Sequence, residues 1–298
     1  DSGCLCCSVQ GDLVKALKNL FMRALRREIA PPPRVLIETT GLADPAPVIH
    51  TLMEDAFIAE RYRCDGVITA VDTTHATKQL GSHREAVRQV AMADRLLLTK
   101  CDLSTAEARA TLGARLATLN PGAPQIEIEH GRVDPAQLCA CGLYTAAGKH
   151  PDDVAWLGEE SVRRAQTRAT TWRKPGAHTP VAQPPRHDDG IVSYVLTFDQ
   201  PLPWFEFSDA LGLLLQMYGQ YILRIKGLVN VAGDPLPRVV QCVQHAAYPP
   251  FSLAAWPERA PYDDRRSRLV FIVRGLARDD VAAMLGSFVG QAPAAEAR

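Results

Sequence analysis

The stretch Arg95-Leu96-Leu97-Leu98-Thr99-Lys100-Cys101-Asp102 decides the fold, because a short apolar strand runs directly into a polar turn. Short apolar runs of the same kind lie before it, at Gly66–Val71, and after it, at Gln125–Ile128. The segments between these runs, Arg84–Ala93 and Thr105–Leu119, have helical composition. Strands that alternate with helices in this way favour a mostly parallel sheet covered by helices.

An earlier apolar run, Arg34–Glu38, predicts another buried parallel strand of the same α/β domain. It continues into Glu38-Thr39-Thr40-Gly41-Leu42-Ala43-Asp44-Pro45. Many nucleotide hydrolases place a magnesium-linked carboxylate at the end of a buried strand, with a glycine N–H facing the terminal phosphate three residues later. Glu38 and Gly41 have this spacing. The alternative is an ordinary turn after a strand, in which Gly41 serves only the bend.

The turn Thr99-Lys100-Cys101-Asp102 resembles the guanine-reading element Asn-Lys-x-Asp of GTP-binding proteins. A carboxylate at the position of Asp102 accepts hydrogen bonds from the ring N–H and the exocyclic amine of guanine, and the lysine stem lies over the base. Adenine lacks this pair of donors, so the carboxylate provides the discrimination. Thr99 stands where asparagine is usual, and a Lys-x-Asp after a strand is common by chance.

Three cysteines lie within four positions near the start, in Gly3-Cys4-Leu5-Cys6-Cys7. We predict an extended loop here and a helix that begins at Gly11–Asp12, with Asp12 as its cap. Thiolates are preferred ligands for zinc and similar soft ions, and an open fourth position suits a metal that is taken up and given away. The alternatives are small buried residues or a redox pair.

The second half of the chain has a different pattern. A stretch rich in proline, residues 173–190, predicts a linker, and residues 291–298 predict a loose tail. Between them we expect a compact α+β domain over residues 191–290. Its predicted strands and helices are Ile191–Phe198, Trp204–Tyr218, Ile222–Val229, Val239–Val243, Leu269–Val273 and Arg278–Val289. Three polar groups here and nearby are assigned structural or solvated roles: Cys139 with Cys141, His187-Asp188-Asp189, and His245.

The composition excludes several classes of protein. The 298 residues include 33 basic and 33 acidic side chains, and such a balance gives no support to nucleic-acid binding. Apolar runs are too short to cross a bilayer. Eight cysteines without a disulfide pattern fit a reducing compartment, so we expect a cytoplasmic protein. Because the chain begins with Asp1 inside a predicted metal loop, we also expect a fragment of a longer protein or a misplaced start.

Several motifs in one order make the chain similar to the CobW family of metal-linked P-loop GTPases. They are Gly-Cys-Leu-Cys-Cys, Glu-Thr-Thr-Gly-Leu-Ala-Asp-Pro, Thr-Lys-Cys-Asp, Leu-Arg-Ile-Lys-Gly-Leu-Val and Arg-Leu-Val-Phe-Ile. The resemblance implies a P-loop NTPase-like domain over residues 1–172 and the CobW C-terminal domain over 191–290. It also implies GTP, Mg2+ and Zn2+ or Co2+ as ligands, and a client metalloprotein, a guanine nucleotide and a second copy in a homodimer as partners.

The resemblance further assigns roles to single residues. Metal binding falls to Cys4, Cys6 and Cys7, the magnesium-linked role to Glu38, the γ-phosphate contact to Gly41, and guanine binding to Thr99, Lys100 and Asp102. The family couples GTP binding and hydrolysis to the delivery of zinc or cobalt to client proteins, and loss of the γ-phosphate would change the geometry of the thiolates.

One departure from the family is severe, because the sequence contains no Gly-x-x-x-x-Gly-Lys-Thr phosphate loop. Without that backbone cradle and its lysine, we expect the chain as given to be inactive as a GTPase and poorly stable. Two interpretations follow: a truncated GTP-dependent metallochaperone, or a nucleotide-incompetent metal-binding or regulatory protein. A cysteine redox enzyme is a third, but it leaves the Glu38 and Lys100 motifs unexplained.

Overall fold

The computed structural model of the chain describes residues 5–139, 190–258 and 262–294, and for residues 5–10 it describes the backbone alone. Cys4, Cys141, the His187-Asp188-Asp189 run and nearly all of the predicted linker lie outside the described residues. The chain divides into two compact units, residues 1–64 and residues 65–298.

The first unit is built from three helices, α1 (Leu5–Leu25), α2 (Ala46–Glu54) and α3 (Ala56–Arg61). Phe21 of α1 meets Phe57 of α3 edge to face, with 5.4 Å between ring centroids, and the Arg61 guanidinium stacks on the Phe57 ring at 4.1 Å. The Tyr62 hydroxyl donates a hydrogen bond to the carbonyl of Leu17 at 2.8 Å. The aromatic pair, the Tyr62 hydrogen bond and a second contact of Arg61, with the Phe21 ring at 5.4 Å, therefore hold α3 against α1.

The predicted start of α1 at Gly11–Asp12 was wrong, because the helix begins at Leu5 and Asp12 lies within it. A glycine inside a helix costs only about 1 kcal/mol relative to alanine, so Gly11 does not end the helix on its amino side. The backbone that carries Cys6 and Cys7 is consequently helical rather than extended.

The predicted strand Arg34–Glu38 was also wrong, since these residues adopt no regular secondary structure and lie mostly exposed. Leu36 is 85% exposed and Ile37 is 39% exposed. An apolar run becomes a buried strand only where a neighbouring strand supplies partners for its N–H and C=O groups. The described residues of the first unit contain no strand with which residues 34–38 could pair.

The second unit begins with a parallel three-stranded sheet in the order β1 (Ile68–Asp72), β2 (Arg95–Thr99), β3 (Gln125–Glu127). Its connecting helices are α4 (Ala76–Ser82), α5 (Arg84–Met92) and α6 (Ala106–Leu119), and a short α7 (Pro135–Leu138) follows β3. Thr105 caps α6 by accepting the Ala108 N–H at 3.2 Å. This arrangement confirms the predicted α/β sheet.

The remainder of the second unit is an antiparallel sheet in the order β4-β9-β5-β6-β7, with β8 paired to β6. Two long helices pack on one face of this sheet and share its buried core. The elements are β4 (Ile191–Phe198), α8 (Trp204–Tyr218), β5 (Ile222–Val229), β6 (Arg238–Val243), β7 (Ala246–Ala247), β8 (Phe251–Ser252), β9 (Ser267–Arg274) and α9 (Arg278–Val289). The predicted α+β architecture is confirmed, and four of its elements begin and end as predicted.

Within this unit the parallel and antiparallel sheets share one apolar cluster. Leu223 of β5 and Ile272 of β9 pack with Leu98 and Leu116 of the parallel half. A buried ionic group adds to this contact: the Asp94 carboxylate lies 2.6 Å from the Arg224 guanidinium and 3.0 Å from the Lys226 ammonium. The three charged side chains thus join the start of β2 to β5.

A search of the described residues finds no helix that is long and apolar enough to cross a membrane.

Candidate functional site

The candidate site lies at the carboxyl edge of the parallel sheet, where two neighbouring strands end together. Asp72 is the last residue of β1 and pairs in register with Thr99, the last residue of β2. Because parallel strands present their carboxyl ends on one edge, the residues after both strands share this edge. It is the edge at which α/β sheets bind their ligands.

The predicted guanine-reading motif forms a tight turn at this edge. Lys100 adopts a left-handed backbone conformation (φ 59°), and Cys101–Leu103 form one turn of 3-10 helix. Cys101 is buried, and its thiol donates to the Leu98 carbonyl at 3.1 Å. The Arg109 guanidinium donates to the carbonyls of Cys101 (3.0 Å) and Ser104 (2.7 Å). Core packing and this arginine therefore hold the turn from both sides, while Lys100 projects outward.

Lys100 forms an ion pair with Asp72, with 2.8 Å between Nζ and Oδ2. The other carboxylate oxygen of Asp72 accepts the Thr74 N–H at 2.9 Å and the Thr74 hydroxyl at 2.6 Å. Partial burial by itself raises the pKa of Asp72, but the hydrogen bonds from Lys100 and Thr74 outweigh it and hold the pKa far below its usual value. Asp72 is therefore ionised at any physiological pH.

The loop after β1 also supports the turn through its backbone. The Thr73 hydroxyl lies 2.9 Å from the Thr99 carbonyl and 3.1 Å from the Lys100 carbonyl, and the Thr73 N–H donates to the Thr99 carbonyl at 3.1 Å. A left-handed backbone conformation is strained for a lysine. The hydrogen bonds from Thr73 help to stabilise it.

Asp102 lies on the other side of the turn. Its Oδ2 is 3.8 Å from Nδ1 of His130, which follows β3 in a left-handed conformation (φ 49°). Carboxylate oxygens accept two donors side by side, which is what the ring N–H and amine of guanine present. The edge thus carries two carboxylates: Asp72, which is paired with Lys100, and Asp102, which faces His130.

Sequence reasoning missed Asp72, Thr73 and His130 as members of this edge. The signal for Asp72 was available, because it is an acidic residue at the carboxyl end of a buried strand, the same criterion that singled out Glu38. For Thr73 and His130 no such signal exists, since a loop threonine or histidine is common and only the register of the sheet brings them to the turn.

Glu38 and Gly41 belong to the other unit, residues 1–64. Glu38 is exposed, and residues 40–43 form a turn in which the Ala43 N–H donates to the Thr40 carbonyl at 3.0 Å. The turn does not call for glycine locally, because the Gly41 backbone angle is ordinary and an added Cβ would meet no described atom within 4 Å. An exposed carboxylate is a hard oxygen ligand of the kind that Mg2+ accepts.

Of the three proposed metal ligands, the structure describes only the backbone of Cys6 and Cys7. Cys4 lies outside the described residues, and Cys6 and Cys7 lie in the first turn of α1. Across residues 11–139, 190–258 and 262–294, no group of three or more His, Cys, Asp or Glu side chains is arranged to hold a metal ion. Cys101 and Cys242 are buried, and burial raises the pKa of the Cys242 thiol well above its usual value, so neither suits metal exchange.

Comparison with known proteins assigns both halves of the chain. Residues 1–127 match the CobW/HypB/UreG nucleotide-binding domain, and residues 191–289 match the cobalamin synthesis protein cobW C-terminal domain. The chain is 32% identical over 282 residues to the zinc chaperone YjiA of Escherichia coli, covering 95% of this chain and 79% of that protein. It is 31% identical over 134 residues to the zinc-regulated GTPase metalloprotein activator 1 of Schizosaccharomyces pombe, covering 45% of this chain and 31% of that one.

A solved structure supports the same assignment. The crystal structure of the Zn(II)-bound YjiA GTPase from E. coli superimposes with a TM-score of 0.67 at 30% sequence identity, covering 93% of this chain and 77% of that one. The parallel sheet and the antiparallel C-terminal sheet follow in the same order along the chain as the two matched domains. The chain therefore belongs to the CobW family.

Proposed function

We propose that this chain carries the guanine-binding and metal-binding residues of a GTP-dependent metallochaperone, a protein that binds zinc and delivers it to a client metalloprotein. The sequence given does not contain the phosphate loop that GTP hydrolysis needs. In this proposal Lys100 and Asp102, with Thr99, bind guanine. Glu38 and Gly41 serve the phosphate end, and Cys4, Cys6 and Cys7 bind the metal. The names of the relatives, zinc chaperone and zinc-regulated GTPase metalloprotein activator, support the metal and the nucleotide.

The observation that carries the proposal is the geometry of the turn after β2. Lys100 is held in a left-handed conformation by contacts from β1, and Asp102 follows it at the carboxyl edge of a parallel sheet. A Lys-x-Asp that occurs by chance in a sequence has no reason to form this turn at this edge. The geometry therefore favours base recognition over the alternative of a nucleotide-incompetent protein.

The roles of Glu38 and Gly41 rest on chemistry and position. Mg2+, when bound, would neutralise negative charge on the phosphates. Glu38 offers an exposed carboxylate to hold it, and Gly41 follows three residues later, the spacing at which a backbone N–H faces the terminal phosphate in many nucleotide hydrolases.

The metal proposal rests on the ligand set. Three thiolates select soft or borderline ions and do not suit Mg2+, and the first turn of α1 places Cys6 and Cys7 in the positive potential of a helix amino end, which favours thiolate. Zinc is the metal that the relatives' names give; cobalt remains the alternative that the same ligands accept.

The base specificity can be tested by exchanging the group that reads guanine. Xanthine carries a carbonyl where guanine carries its exocyclic amine, so it needs a donor from the protein rather than an acceptor. Displacement of a fluorescent guanosine diphosphate by GDP, XDP and ADP should rank GDP first in the wild type. In Asp102→Asn the order of GDP and XDP should reverse by about 10- to 100-fold, the worth of a hydrogen bond to a charged group. Equal displacement by GDP and ADP in the wild type would refute guanine recognition.

The metal site can be tested by titration with Co2+, whose thiolate charge-transfer bands stand in for zinc. The reduced wild-type protein should bind one equivalent, and Cys6→Ser with Cys7→Ser should abolish the bands. Cys139→Ser with Cys141→Ser is the matched control, because it removes the other close cysteine pair and should leave the bands unchanged. If the bands survive Cys6→Ser with Cys7→Ser and vanish in Cys139→Ser with Cys141→Ser, the metal binds Cys139 and Cys141. That result would refute the proposed metal site.

A further inference from the structure

Two carboxylates neighbour Lys100 at the turn after β2, one along the chain and one across the sheet. Lys100 is followed two residues later by Asp102, and it faces Asp72 across the register of β1 and β2. The structure places the ammonium on Asp72, at 2.8 Å, while the Asp102 carboxylate faces His130 at 3.8 Å. The carboxylate that would read guanine is therefore kept apart from the lysine next to it in the chain.

The contacts of Asp72 favour its ion pair with Lys100. Two donors from Thr74 hold one of its oxygens, at 2.6 and 2.9 Å, and the other lies 2.8 Å from Lys100 Nζ and 3.4 Å from Nδ1 of His75. The Asp72 side chain is 22% exposed, whereas that of Lys100 is 53% exposed, so the fixed partner is the carboxylate. The neighbouring Thr73 meanwhile holds the Lys100 carbonyl at 3.1 Å. The last residue of β1 thus holds the ammonium of Lys100, and the loop after β1 holds its backbone.

Resting on the function proposed above, we propose that Asp72 is a positioning residue for guanine recognition. It holds the ammonium of Lys100 so that the Asp102 carboxylate stays open to the two N–H donors of the base. The lysine stem, stretched between the strand ends, then lies where the base stacks. No bond is made or broken in this role.

The physical reason is that a carboxylate already paired with an ammonium is a poorer acceptor for a second set of donors. An ammonium also competes with the uncharged amine and ring N–H of guanine for the same lone pairs, and hydrogen bonds between charged groups are stronger than those with a neutral donor. Without the Asp72 carboxylate, the Lys100 ammonium would pair with Asp102. It would then block the carboxylate proposed to bind guanine.

The test uses Asp72→Asn, because asparagine keeps an oxygen for Thr74 but loses the charge that holds Lys100. The readout is the ratio of dissociation constants for IDP and GDP, which differ only in the exocyclic amine that Asp102 reads. This ratio should be about 10 or more in the wild type, from one hydrogen bond to a charged acceptor. In Asp72→Asn it should fall to about 3 or less.

A second variant separates positioning from a general structural role. Asp72→Asn combined with Lys100→Met removes the ammonium that would block Asp102 and keeps an unbranched apolar stem. The IDP/GDP ratio should return towards the wild-type value in this double variant. If Asp72 only stabilised the fold, both nucleotides would weaken equally in the single variant and the double variant would restore nothing, which would overturn the inference.

The failure of this inference and the failure of the proposed function give different results. If the wild type does not prefer GDP to ADP, guanine recognition itself fails. The ligand-free protein then still decides the positioning role: a crystal structure of Asp72→Asn should show Lys100 Nζ on the Asp102 carboxylate. Finding Nζ still at position 72, or in solvent, refutes the competition between the two carboxylates whatever the nucleotides do.

Discussion

Replacing Asp94 by asparagine should cost this protein about 3–5 kcal/mol of unfolding free energy, because it leaves two buried cations without their counter-charge. The side chains of Asp94, Arg224 and Lys226 are 3%, 5% and 9% exposed, so water does not replace the lost carboxylate. Asparagine is nearly the same size and keeps an oxygen for the Val67 N–H, which Asp94 accepts at 3.0 Å. The change therefore removes charge while leaving the packing in place.

The matched control is a partly exposed ion pair in the same unit. Asp234 lies 2.9 Å from the Arg238 guanidinium, and both side chains are 24% exposed. Because water reaches this pair, Asp234→Asn should change stability by only about 0–1 kcal/mol. The difference between the two variants isolates the effect of burial.

Urea unfolding followed by tryptophan fluorescence measures both variants, since Trp204 and Trp256 lie in this unit. Burial by itself raises the pKa of Asp94, but the charges of Arg224 and Lys226 outweigh it and the pKa is lowered from its usual 3.8. The stability that its charge supplies is therefore present above pH 3.8 and is lost as the pH falls below it. The gap between wild type and Asp94→Asn should close at such acid pH. A loss below about 1 kcal/mol at neutral pH, equal to that of the control, would refute the reasoning.

Three further predictions concern local contacts. Asn120 is 3% exposed and its side-chain amide donates to carbonyls within residues 90–93, so Asn120→Ala should cost about 1–3 kcal/mol in urea unfolding; an unchanged midpoint would contradict this. An alanine Cβ at Gly219 would lie 2.2 Å from Nδ1 of His245, so Gly219→Ala should lower the melting temperature, and adding His245→Ala should recover part of the loss. Thr105→Ala should cost about 1 kcal/mol by removing the cap of α6, whereas Thr105→Asp should be nearly neutral; equal losses would argue against capping.

Local pattern was sufficient for most of the secondary structure. The strand β4 and the helices α8 and α9 alternate apolar and polar residues with clear periods, and their bounds match the prediction. The turn after β2 was likewise readable, because a buried strand followed by Thr-Lys-Cys-Asp carries its chemistry within four residues. Residues 34–38 show the limit of this reasoning. An apolar run is able to form a strand, but it does so only when another strand pairs with it.

The sequence by itself determined the family, the alternation of strands and helices, and the identity of the residues proposed to read guanine, because each of these depends on residues close together in the chain. Tertiary structure alone decided which charges meet. Asp72 reaches Lys100 across 28 positions, and Asp94 reaches Arg224 across 130. Such pairs leave no local pattern. The pairing of β1 with β2 brings Asp72 to Lys100, and the packing of the two sheets brings Asp94 to Arg224 and excludes water from that pair.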